Sequence, residues 1–147
     1  MLDTVAIFSS IPPDGLTRLA EQGQKRIFPA GSVLMRQGEV SDGMHVVVRG
    51  RVQVERSHPD LTEPLVLAEL GPGEVVGEMG VLDGEPRSAT VIALEETETM
   101  ELRSAQLAET VLRYPDASAA LLRTISRRLR STNELAEQLQ RQGQSRL

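Results

Sequence analysis

The sequence predicts a mainly β protein: an antiparallel sandwich or barrel with short helices before it and two helices after it, the last one long. Three observations lead there. Between Lys25 and Leu102, short apolar runs are broken at Pro29-Ala30-Gly31, Gly38-Glu39, Asp42-Gly43, Arg49-Gly50, Gly71-Pro72-Gly73 and Asp83-Gly84, the punctuation of antiparallel strands. From Met44 to Glu55, Met44, Val46, Val48, Val52 and Val54 alternate with His45, Arg49, Arg51, Gln53 and Glu55, and only Val47 interrupts the pattern. That period of two marks a half-buried strand. After Arg103 the apolar period becomes helical.

The elements follow in order. Residues 1–24 read as two short helical pieces; the second opens at Asp14-Gly15-Leu16, where Asp14 is placed to cap the first turn. Further strands are expected at Ser32–Met35, Leu65–Leu70, Ala89–Leu94 and Thr99–Leu102. Ser57–Pro64 forms a loop in which Pro59 and Pro64 bar ladder pairing. Ser104–Arg113 is a helix ended by Tyr114-Pro115, because the residue before proline is pushed out of the helical region. Asp116 then caps a long helix to about Arg141. Its apolar row of Leu122, Ile125, Leu129, Thr132, Ala136 and Leu139 repeats like a coiled-coil seam. Such a seam either lies on the chain's own sandwich or pairs two copies through 117–141. A polar Thr132 in it suits the homodimer, where it would set register.

Composition removes several classes of function. With 147 residues the chain is long enough for one domain with its own core. It has no cysteine and only His45 and His58, so thiol catalysis, thiolate metal sites and multi-histidine metal centres are not expected. A cupin-type metal enzyme would need several histidines converging in the barrel; these two have no neighbouring His-x-His. A net charge of −5 argues against general nucleic-acid binding. The last 25 positions carry six Arg against two Glu, a local +4, but the arginines interleave with the seam and read as a solvated helix face. Asp3 stands where a secretory signal would be positive, and no apolar run approaches the ~20 residues of a membrane span. A soluble, cytoplasmic protein is expected.

Chemistry-bearing residues concentrate between Gly73 and Val91. Gly77 and Gly80 allow close backbone approach, and a helical turn over 78–82 would offer free amides to an anion. Arg87 brings a guanidinium fork that matches two phosphate oxygens. Glu78 offers acceptors only, suited to sugar hydroxyls and repelled by phosphate. The set describes a compact phosphate–ribose site; a Gly-rich turn closed by a Glu–Arg ion pair accounts for the same residues.

The stretch Gly77-Glu78-Met79-Gly80-Val81-Leu82, followed by Pro86-Arg87-Ser88-Ala89-Thr90-Val91, resembles the phosphate-binding cassette of the cyclic nucleotide-binding domain family, of catabolite activator and protein kinase A regulatory-subunit type. Phe28-Pro29-Ala30-Gly31-Ser32-Val33-Leu34, Arg36-Gln37-Gly38-Glu39 and Val46-Val47-Val48-Arg49-Gly50-Arg51-Val52-Gln53-Val54 are similar to its earlier strands, so the resemblance covers essentially the whole chain. It implies a jelly-roll β-sandwich in one domain, 1–147: helices over 1–24, the β-roll over 25–103 with the cassette at 75–91, and helices over 104–142. It also implies a non-catalytic sensor of cAMP, with cGMP the alternative. Glu78 would bond the ribose 2′-hydroxyl and Arg87 the cyclic phosphate. The Gly77 turn, the Gly80 amide and the Ser88 hydroxyl would complete the cradle. Val75, Met79, Ala89 and Val91 would form apolar walls, and Thr132 and Asn133 of the last helix would meet the base. The chain departs from the family at Val76 and His45, where aromatics are usual, and at Gly80, where a small side chain is. No winged-helix output domain is expected within this sequence, so direct DNA binding by it is not expected; the signal would pass to a downstream partner, or the sequence is the sensory piece of a longer protein. The competing reading is a dimeric interaction module that keeps the fold without binding a nucleotide.

Overall fold

The computed structural model describes residues 11–78 and 85–116, together with 119 and 123. The expected mainly β architecture is present. Helix α1 (Pro13–Gln22) leads into strands β1 (Gln24–Phe28), β2 (Val33–Met35), β3 (Gly43–Arg49), β4 (Val52–Arg56), β5 (Leu65–Leu70), β6 (Val75–Val76), β7 (Thr90–Ala93) and β8 (Thr97–Arg103), and helix α2 (Ser104–Arg113) follows directly. Two four-stranded antiparallel sheets form, in the orders β1-β8-β3-β6 and β2-β7-β4-β5. No helix among the described residues is long and apolar enough to cross a membrane.

The long alternating run proves to be two strands in two sheets. β3 pairs with β8 and β6, whereas β4 pairs with β5 and β7. The chain changes sheet at Gly50, whose φ is +97°. The apolar positions divide accordingly. Met44, Val46 and Val48 pack with Leu19 of α1, Leu107 of α2, Met100 and Leu102. Val52 and Val54 join Met35, Val47, Leu70, Val76 and Val91 between the sheets. β3 is therefore buried on both faces, by helices on one side and the second sheet on the other. Met44, Val46 and Val47 are fully buried and His45 is 5% exposed. Val47 breaks the half-buried pattern because its face is also interior, and His45 is not a surface residue for the same reason.

Other boundaries differ for local reasons. α1 starts at Pro13, with Pro12 in the N-cap position and no side-chain cap; Asp14 sits inside the first turn, where its charge favours the helix dipole. β1 and the two-residue β6 are strands beyond those the sequence pattern predicts. α2 ends as expected: Tyr114 leaves the helical region at φ −128° and ψ 86°, ahead of Pro115. Pro115 and Asp116 are already helical, so Asp116 is not the cap. The expected seam helix and its dimer contact lie outside the described residues.

Candidate functional site

β6 ends at Val76 in the middle of the first sheet's edge, paired to His45. The chain then turns at Gly77 and presents Glu78, which is 1% exposed. Arg87 returns to the same place from the limb that leads into β7. Its side chain is 8% exposed. Nη1 donates to the Gly77 carbonyl at 3.0 Å, and Nη2 reaches the exposed Asp42 carboxylate at 3.5 Å. A Cβ at Gly77 would stand 2.5 Å from Arg87 Nη1 and about 3 Å from Met35, so the guanidinium occupies space that only glycine leaves open.

Burial pushes the Arg87 pKa below its usual value, while the carboxylates of Asp42, Glu39, Glu101 and Glu78 oppose the shift. A guanidinium stays charged regardless. The protein therefore holds a cation in its interior, with a buried carboxylate acting on it. Among the described residues, Gly77 and Asp42 take up two of the five N–H groups of the fork. The arrangement can accept an oxyanion at Arg87 and hydroxyl donors at Glu78.

Of the residues expected in the site, the structure brings Gly77, Glu78 and Arg87 together. Ser88 follows on the same limb, its carbonyl accepting from Arg56 Nε at 3.0 Å, and Ala89 is buried behind it. Val91 faces the space between the sheets, but Val75 does not: it packs toward the helices, and Val76 belongs with Val91. β6 pairs Val75 with helix-facing Val46 and Val76 with inward-facing His45, so Val76, and not Val75, shares the inter-sheet side with Val91. Met79, Gly80, Thr132 and Asn133 lie outside the described residues. Sequence reasoning missed Asp42, Met35 and the inward side of His45; Asp42 read only as a turn residue, and no local signal ties it to Arg87.

His45 stands beside this site. Its Nδ1 lies 2.8 Å from Thr99 Oγ1, and its Nε2 lies 3.6 Å from Glu101 Oε2, which also accepts from Arg26 at 3.0 Å. Phe28 meets the ring edge-on at 5.7 Å. Burial, then the charges of Arg87 and Arg26, lower its pKa from 6.5 to about 4, against a small opposing pull from Asp42. The unfolded chain therefore takes up this proton first as the pH falls. The resulting stability is complete above about pH 6.5 and is lost as the pH drops through about 4, to a limit of about 3 kcal/mol. His45→Gln is expected to flatten the fall of the urea midpoint between pH 6.5 and 4.5; equal slopes in both proteins would contradict this.

Residues 25–114, from β1 to just beyond α2, match the cyclic nucleotide-binding domain family. The chain belongs to that family. A CRP-like cAMP-activated global transcriptional regulator of Mycobacterium tuberculosis is 31% identical over 133 residues, covering 90% of this chain and 59% of the regulator. A cyclic nucleotide-gated potassium channel of Mesorhizobium japonicum is 38% identical over 105 residues, covering 71% of this chain and 27% of the channel. The crystal structure of Thermus thermophilus catabolite activator protein is similar with a TM-score of 0.80 at 30% identity, over 92% of this chain and 63% of that one. The chain thus spans less than two thirds of the length of these relatives.

Proposed function

We propose that this chain is a cyclic nucleotide sensor domain that binds cAMP, with cGMP the competing ligand, and has no catalytic role. One observation carries the reading: a buried guanidinium crosses the carbonyl of a glycine turn beside a buried carboxylate, Arg87 over Gly77 next to Glu78. Arg87 takes the cyclic phosphate, Ser88 and the turn amides complete the cradle, and Glu78 accepts from the ribose 2′-hydroxyl. Ser88 beside Arg87, and the cAMP named for the mycobacterial relative, support adenine over guanine.

The base then reaches the C-terminal helical segment at Thr132 and Asn133, and occupancy favours one position of that segment. Ligand can shift it only by its differential affinity for the two positions, typically about 1–3 kcal/mol of coupling. The seam over 117–141 joins two copies, so the shift is read by a dimer and passed to a partner or an attached output domain.

The ribose assignment is tested with 2′-deoxy-cAMP. The unaltered protein is expected to bind cAMP about ten- to a hundredfold more tightly than the deoxy analogue, the value of a hydrogen bond to a charged group. Glu78→Gln is expected to erase most of that preference. Equal affinities for the two ligands in the unaltered protein would overturn the role of Glu78.

A further inference from the structure

The limb that carries Arg87 and Ser88 joins no sheet before Thr90, yet anion recognition requires its side chains within about 0.5 Å of the productive geometry. Its backbone is fastened on two sides. From the loop between β2 and β3, the Gln37 amide donates to Thr90 Oγ1 at 3.0 Å and the Gly38 amide to the Arg87 carbonyl at 2.8 Å, while the Arg87 amide donates to the Glu39 carbonyl at 2.8 Å. From the end of β4, Arg56 Nε donates to the Ser88 carbonyl at 3.0 Å. The two fasteners are themselves joined. The Ser57 amide donates to Gln37 Oε1 at 2.8 Å, and Gln37 Nε2 returns a bond to the Ser57 carbonyl at 3.0 Å. Loop, limb and strand end close a ring of hydrogen bonds with Gln37 at its hub.

We propose that Gln37 and Arg56 are positioning residues of the anion site, holding the Arg87–Ser88 limb in its binding geometry before ligand arrives. The inference rests on the cyclic nucleotide reading of the site. The bonds that Gln37 and Arg56 make are exposed, so their value lies in the ordering the ligand no longer has to supply. Arg56 acts here through Nε and not through its charge. Glutamine at this position carries an amide nitrogen the same number of bonds from Cα as arginine Nε, so Arg56→Gln keeps the donor and removes the cation.

The test compares cAMP affinity by calorimetry with amide hydrogen exchange of the ligand-free chain. Gln37→Ala and Arg56→Ala are each expected to weaken cAMP binding about three- to tenfold, the scale of one or two lost hydrogen bonds, and Arg56→Gln to stay within about twofold of the unaltered protein. In ligand-free Gln37→Ala, the Gly38, Ser57 and Arg87 amides are expected to exchange faster and to recover with saturating cAMP, while the urea midpoint holds. Unaltered affinity in both alanine variants, or Arg56→Gln as weak as Arg56→Ala, would overturn the proposal. If the unaltered protein binds no cyclic nucleotide, the functional reading fails separately, and exchange in the ligand-free Gln37→Ala chain still judges the clasp: unchanged Arg87 exchange overturns it.

Discussion

Replacing Arg87 by alanine is expected to lower cAMP affinity by at least about a hundredfold, because a two-pronged charge-assisted contact to phosphate is worth about 3 kcal/mol or more. Arg87→Lys is expected to fall between, since it keeps a point charge and loses the fork. The alanine variant also withdraws the cation whose field acts with the buried Glu78, and removing one partner of buried charges destabilises a fold. Urea unfolding of the ligand-free variant should therefore show a loss on the order of 1–3 kcal/mol, the cost of leaving a buried partner unsatisfied. Circular dichroism at the titration temperature would establish that the molecules titrated are folded. Affinity retained within about threefold in a folded Arg87→Ala protein would remove Arg87 from the binding site.

The largest effect on stability is expected at Gly50. This residue carries the chain from the first sheet to the second at φ +97°, a conformation that costs an L side chain about 1–2 kcal/mol. A Cβ there would also stand 2.6 Å from the Glu96 carbonyl oxygen and 2.5 Å from Thr97 Oγ1. The first of these is backbone, and it belongs to the turn that enters β8, so neither side can yield cheaply. Gly50→Ala is expected to destabilise the protein by roughly 3 kcal/mol, read as a lower urea midpoint at an unchanged slope. A change under about 0.5 kcal/mol would mean that the crossing between sheets is not held as described.

What the sequence made legible follows from how local each signal is. β5 and α2 agree with the reading residue for residue, because each is a single uninterrupted run with its own period and clear stops. The run from Met44 to Glu55 misled because period two reports only that alternate side chains share a face. It does not say that the other face is also covered, nor that Gly50 sends the second half into another sheet. Period two alone therefore leaves open that His45 is buried against the second sheet, and β6, two residues long, shows no pattern that tells the facing of Val75 from that of Val76. Glu78 and Arg87 were legible as a pair nine positions apart, in a motif whose residue types suit one ligand. Asp42, Gln37 and Arg56 were not, since each meets the limb from 32 or more positions away and only the folding of the β2–β3 loop and the end of β4 onto the limb brings them there.

The central claim is that this chain binds a cyclic nucleotide through the Glu78–Arg87 site. Calorimetric titration of the purified chain with cAMP, cGMP and linear 5′-AMP tests it most directly. Saturable binding of cAMP, weaker binding of cGMP and little heat from 5′-AMP are expected. No heat from either cyclic nucleotide up to about millimolar concentration, where the binding free energy would already be as small as about 4 kcal/mol, would contradict the claim and leave the fold as a scaffold for pairing with other proteins.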